Sequence, residues 1–184
     1  MFIETEVTPN PATLKFVPGR AVLGEGSREF RSATTASASP LAARLFEIEG
    51  VSAVFLGADF VSVTKDGPEW QHLKPAILGT IMEHFLSGAP IITGGAETGA
   101  SLDGYSENDR RIIATIEQLL EERVRPAVAG DGGDIVFARW DDGIVYLHMR
   151  GACSGCPSST ATLRNGVQNL LKHFIPEVIE VRAA

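Results

Sequence analysis

Residues 88–105, GAPIITGGAETGASLDGY, set five glycines and a proline among small polar side chains. Such a stretch buries little apolar surface and resists a fixed backbone. Structureless loops of that length are uncommon inside one compact domain. The segment therefore reads as a flexible Gly-rich linker. It divides the 184-residue chain into two small two-layer α/β domains of an α+β protein, with expected boundaries at 1–87, 88–105 and 106–184. A hydrophobic content of 44% supplies a core for each half without disulfide staples, since two cysteines make at most one bridge.

Net charge is −7, with 7 Lys+Arg against 10 Asp+Glu in residues 1–87 and 9 against 13 in residues 88–184. Neither half carries the basic stripe that binding to a phosphate backbone requires, so nucleic acid is not an expected partner. No run approaches the ~18 uninterrupted apolar residues of a membrane span, so no membrane is expected either. The opening MFIETEVTPN has acids at Glu4 and Glu6 and no basic cluster. This start resembles neither a secretory signal nor an Arg-rich transit peptide, and a cytoplasmic location is the expectation.

In the first half, FIETEV and ATLKFV read as strands around a Pro9–Pro11 turn, and VSAVFLGADFVSVTK reads as a hairpin. GEGSREFRSATTASAS reads as loop. Ser39 and Pro40 cap a helix carrying Leu41, Leu45 and Phe46 on one face. A second helix runs from Trp70 through Leu73, Ile77, Ile81 and Phe85 to Gly88. His72 and His84 lie on it and are expected to make surface or helix-end polar contacts. In the second half, Ser106 and Asp109 form a capping box ahead of an apolar stripe from Ile112 to Val124, and Pro126 ends or bends that helix. IVFARW and IVYLHM form an antiparallel hairpin between the turns DGGD (131–134) and DDG (141–143). A helix with Leu163, Val167, Leu170, Leu171 and Phe174 on one face comes next, and PEVIEVR closes as a short strand. Trp70 and Trp140 read as packing residues.

Between hairpin and helix lies GACSGCPSST, residues 151–160, with the chain's two cysteines, Cys153 and Cys156. They sit on a strand-to-helix loop with Pro157 in the first helical turn. The positive helix end should lower the thiol pKa, and a loop at the end of a two-layer domain should leave both sulfurs solvent-accessible. Three readings stay open. A thioredoxin-like redox couple shares the local strand–CxxC–helix pattern, but only 28 residues follow Cys156, enough for one helix and one strand. Unligated surface thiols would be prone to oxidation. Metal or cluster ligation needs about four ligands, and one chain supplies two cysteines. His148 and His173 are each explained by the pattern of their own element. Two chains related by a two-fold axis through the metal centre would supply four thiolates.

The extended pattern Ala152-Cys153-Ser154-Gly155-Cys156-Pro157-Ser158-Ser159, with Thr162 and Leu163, resembles the C-terminal domain of the NifU/Nfu iron–sulfur scaffold family. RPAVAGDGGDI upstream is similar as well. TPNPATLKF, SPLAARLFEIEGV, ADFVSVTK and the Trp70–Ile77 run resemble the Nfu N-terminal domain, so the likeness covers nearly the whole chain. The cysteine-rich and [2Fe–2S] regions of full-length NifU have no counterpart, which matches the shorter Nfu arrangement. The resemblance implies a non-enzymatic scaffold and carrier, with a thiol–disulfide oxidoreductase as the alternative. It implies that Cys153 and Cys156 of two chains bind a [4Fe–4S] cluster, or its [2Fe–2S] counterpart. The holo form would be a homodimer, with upstream cluster-assembly proteins and apo iron–sulfur targets as partners. For the first half it implies a part in partner recognition; DGGD reads chiefly as a turn, with shaping of the cluster loop as the alternative.

Overall fold

The computed structural model describes residues 1–94, 101–153 and 157–184, with side chains left out for 157–159. Two α+β units are present, each with its own sheet and its own core. The first sheet has β1 (Glu4–Val7), β2 (Thr13–Val17), β3 (Arg28–Phe30), β4 (Val51–Leu56) and β5 (Val61–Lys65) in the order β1-β2-β5-β4-β3, with every neighbouring pair antiparallel. Helices α1 (Pro40–Phe46) and α2 (Trp70–Ser87) cover one face. Leu41, Leu45, Ile77 and Ile81 from the helices meet Phe16, Leu56, Val61 and Val63 from the strands. Ser39 caps α1 by accepting from the Ala42 N–H at 3.2 Å, and Pro40 takes the first helical position. Gly88 ends α2 in the left-handed conformation.

The segment read as loop contains β3 and a short 3-10 turn at Thr35–Ala38. Local propensity misses β3 because its partner is distant in sequence. Phe30 is buried and pairs with Val54 of β4. The glycine-rich segment also begins less freely than expected. Ile91 and Ile92 pack on the first core, and the Thr93 and Gly94 N–H groups both donate to Ala38 O, at 2.8 and 3.2 Å. The remainder of its glycine cluster, residues 95–100, lies outside the described residues.

His84 is buried instead of lying on the surface, and it meets the helix-end half of its expected role through the backbone of Ala89 and Pro90 just past α2. It is 1% exposed, and its Nε2 finds no hydrogen-bond partner among the described residues. Burial, then the nearby Arg44 charge, holds its pKa below the ordinary 6.5. The folded chain takes up this proton less readily than the unfolded chain, which protonates the imidazole near 6.5. Its contribution is therefore complete above that pH and declines as pH falls below it. Urea midpoints measured across this range should drop on acidification, and the drop should be shallower in His84→Leu.

The second unit is built on β6 (Gly133–Asp141), β7 (Ile144–Gly151) and β8 (Glu180–Ala183), ordered β6-β7-β8. β6 and β7 form the hairpin. Asp142 (φ 46°) and Gly143 (φ 95°) make its two-residue turn, whose positive φ values match the twist of the strands. α5 (Pro157–Phe174) crosses over to bring β8 parallel to β7. α3 (Glu107–Leu119) starts at Ser106, whose hydroxyl accepts from the Asp109 N–H at 3.1 Å. Pro126 does not end the helical path. A π-helical turn over Leu120–Val124 leads into α4 (Arg125–Gly130), and Pro126 sits in the first turn of α4, where a missing N–H is harmless. The core joins Ile113 and Ile116 to Ile135, Leu147 and Leu171, with Trp140 buried and donating its indole N–H to Asp109 at 3.1 Å. Trp70 is half-buried and donates to Pro11 O at 3.0 Å. Among the described residues no helix is long and apolar enough to cross a membrane.

Candidate functional site

Two backbone segments frame Cys153. One is the end of β7, Arg150–Gly151, and the other is the turn Asp131–Asp134 that leads into β6. Gly133 pairs with Gly151 and Asp134 with Arg150, so hairpin register clamps the loop at its base. The Ala152 N–H donates to Gly132 O at 3.2 Å. Close approach explains the glycines here. A Cβ on Gly133 would lie 2.5 Å from Cys153 Sγ, and one on Gly151, where φ is +62°, would lie 2.6 Å from Gly132 O. DGGD thus does more than turn the chain; its second glycine is the surface against which the thiol packs. From the other side, Thr160 Oγ1 in the first turns of α5 donates to Cys153 O at 2.8 Å.

Cys153 is 6% exposed and belongs to the second core. Burial, with the charges of Asp131 and Asp134 adding to it, pushes its thiol from the ordinary 9.0 up to about 12. This corrects two sequence expectations, an accessible sulfur and a lowered pKa. Helix-end stabilisation fades beyond the first turn and operates on charge already tolerated by the surroundings. Here desolvation by the packed hairpin and two nearby carboxylates outweighs it, and Cys153 is a neutral thiol at neutral pH. Cys156, the other expected ligand, lies outside the described residues.

A buried ion pair beside the loop escaped the sequence reading. Asp134 is 5% exposed. Arg125 reaches it from α4 with Nε at 2.9 Å and Nη2 at 2.8 Å, the two-pronged geometry that suits guanidinium and carboxylate. Asp134 Oδ1 also accepts from the Ile135 N–H at 2.8 Å, and Arg125 Nη1 pairs with Glu121 at 2.5 Å. Asp134 and Glu121 keep the Arg125 guanidinium more strongly protonated than usual. The signal available in sequence was an arginine in RVRPAV nine positions before an acid in DGGD, which is legible only once α4 folds back on β6. His148 is exposed on β7, and His173 is exposed near the end of α5 with its ring edge-on to Phe174. Among the described residues no three His, Cys, Asp or Glu side chains converge as a metal site.

A strand end, a glycine turn and a helix start converging on a cysteine loop, with a second α+β unit beside it, define a two-domain cysteine-loop protein. Comparison with known families agrees with both halves. Residues 3–88 match the model for the scaffold protein Nfu/NifU N terminal, and residues 116–182 match the NifU-like domain. The human protein named NFU1 iron-sulfur cluster scaffold homolog, mitochondrial, is 49% identical over 180 residues, covering 97% of this chain and 70% of its own length. The protein of the same name from Drosophila ananassae is 51% identical over 186 residues, covering 98% and 63%. A solution structure of a NifU-like protein from Saccharomyces cerevisiae shares 26% identity at a TM-score of 0.47, covering 52% of this chain and 87% of that one. The chain belongs to the Nfu/NifU scaffold family. It spans between 63% and 70% of the length of the two curated relatives. The cytoplasmic expectation is overturned by these relatives, which are named as mitochondrial. Composition of a folded chain reports how it packs and stays in solution; a compartment is assigned by addressing signals that the packing does not need.

Proposed function

We propose that this chain binds an iron–sulfur cluster as cargo and passes it to apo-proteins, acting as a carrier and not as a catalyst. The observation that carries this reading is the cysteine inventory. Only Cys153 and Cys156 occur in the sequence, and both fall in GACSGCPSST, within the stretch that matches a scaffold-family domain. A [4Fe–4S] cubane takes four thiolates, so two chains contribute a pair each and the cluster lies on the two-fold axis between them. Each thiol that ligates iron gives its proton to solvent. Thiolates of a target then replace those of the scaffold one at a time, and the two chains separate.

The oxidoreductase alternative fares worse. A redox couple needs one thiolate near neutral pH to attack, and the Cys153 thiol, at about 12, does not supply it. Iron binding overcomes a raised thiol pKa because the metal itself displaces the proton, whereas thiol–disulfide exchange has no such driving force.

Anaerobic incubation with iron, sulfide and a reductant tests the reading. The expected product is brown, carries about four iron atoms per two chains, and has twice the mass of the single chain by native mass spectrometry. A cubane on an isolated chain would overturn the shared site. A colourless protein that reduces disulfides would favour the alternative.

A further inference from the structure

The cysteine loop is held from outside by the first half of the chain. Across the first sheet, Lys15 pairs with Ser62, Ser62 with Phe55, and Phe55 with Glu29. Side chains alternate along each strand, so this cross-strand row shares one face. It is the face opposite Val54, Leu56, Val61 and Val63, which build the first core. The outer face of such a sheet would ordinarily meet water. Here Ser62 is 1% exposed and Phe55 2% exposed.

What covers them is the frame of Cys153. Ser62 Oγ donates to Gly132 O at 2.8 Å, and Glu29 Oε1 accepts from the Gly151 N–H at 2.9 Å. Lys15 Nζ reaches Gly130 O at 3.4 Å, and Arg150 Nη1 reaches Ser27 O at 3.3 Å. Ser27 also donates to Asp134. The glycines permit this approach. A Cβ on Gly132 would stand 3.0 Å from both Ser62 Oγ and Thr8 Cγ2, and one on Gly151 would stand 3.1 Å from Phe55 Cγ. On the second half these contacts fall within residues 130–134 and 150–151, the two segments that bury the thiol. The polar contacts of this interface are single hydrogen bonds, largely to backbone groups, a composition suited to halves that part and rejoin.

We propose that the first half is a lid on the cysteine loop, which lifts before two chains bring their cysteines to one cluster. The proposal rests on the shared-cluster reading above. Glu29 and Ser62 pin the end of β7 and the glycine turn in the arrangement that packs Cys153 Sγ against Gly133. A loop so held cannot present its sulfur to a second copy. Releasing those two hydrogen bonds loosens the outer hold on both segments, leaving their own β6–β7 pairing in place, without touching either cysteine.

The full-length chain provides the test, because neither half has been shown to fold alone. Cys153 is labelled with iodoacetamide in a Cys156→Ser background, with and without Glu29→Ala and Ser62→Gln. Glu29→Ala removes one pin, and Ser62→Gln places bulk against Gly132. The expected result is that labelling accelerates by about tenfold or more when the lid is disturbed, with circular dichroism unchanged. If Ser62→Gln fails to fold, Glu29→Ala alone decides. Labelling within about twofold of the parent chain overturns the lid. The same substitutions are then made with both cysteines retained, and cluster loading is timed. Faster loading supports the lid, and unchanged loading with unchanged labelling overturns it while leaving the carrier function standing. Faster labelling with no cluster on any form supports the lid and overturns the carrier reading.

Discussion

Cys153→Ser should take the iron content of the reconstituted dimer from about four atoms to background, because each substituted chain withdraws one of two ligands and a symmetric dimer loses half of its four. A serine hydroxyl does not compensate. It stays protonated where a metal-bound thiol does not, and its oxygen is a poor match for the iron of a sulfide cluster. Cys156→Ser should give the same loss by the same count. The measurement is iron and sulfide per chain after anaerobic reconstitution, with native mass recorded in parallel. The effect on folding should be modest by comparison. Serine at the buried Cys153 position brings a hydroxyl that needs a partner, a cost of about 1–3 kcal/mol if none is found. Urea unfolding of the apo chain separates the two effects. Retention of a full cluster by either variant would remove the basis for the shared site.

Gly133→Ala should be among the most destabilising single-methyl additions in the chain. The new Cβ would lie 2.5 Å from Cys153 Sγ, 2.7 Å from Arg150 O and 3.0 Å from Cys153 N. Two of these three atoms are backbone, and the ladder pairing of Asp134 with Arg150 holds that backbone in place. The thiol cannot simply swing away, since it is packed in the core with Ile135 and Val128. Overpacking of this kind costs about 3 kcal/mol. A lower urea midpoint is expected, together with faster labelling of Cys153 as the loop is forced off Gly133. Gly166→Ala serves as the control. Gly166 lies in α5, a Cβ there meets nothing within 4 Å, and alanine should raise stability by about 0.5–1 kcal/mol. A neutral result at Gly133 would mean that the loop is looser than its geometry indicates.

Much of the architecture was legible because it is local. Ser39–Pro40 and Ser106 announce helix starts by chemistry confined to a few residues, and the Asp142–Gly143 turn announces its hairpin in the same way. The apolar periods of α2 and α3 matched their buried faces, and that of α5 did so through Val167 and Leu171, while Phe174 at its end is 46% exposed. β3 was not legible, since three residues become a strand only when β4 offers them a partner. The π turn before Pro126 was hidden because either a stop or a bend satisfies a proline equally well in sequence. His84 read as polar and therefore outside, yet its position on α2 faces inward between Ile81 and the returning segment 88–94.

By itself the chain determined the number of thiols, their spacing, and the strand and helix on either side of them. These are properties of order along a polymer, and they set how many thiols one copy brings. Tertiary structure decided the state of Cys153: how deeply it is buried, that Asp131 and Asp134 stand near it, and that Glu29 and Ser62 hold its frame. Desolvation and charge act through space, so the thiol's surroundings draw on residues as remote along the chain as Glu29. No spacing rule within GACSGCPSST could have shown which of them would arrive.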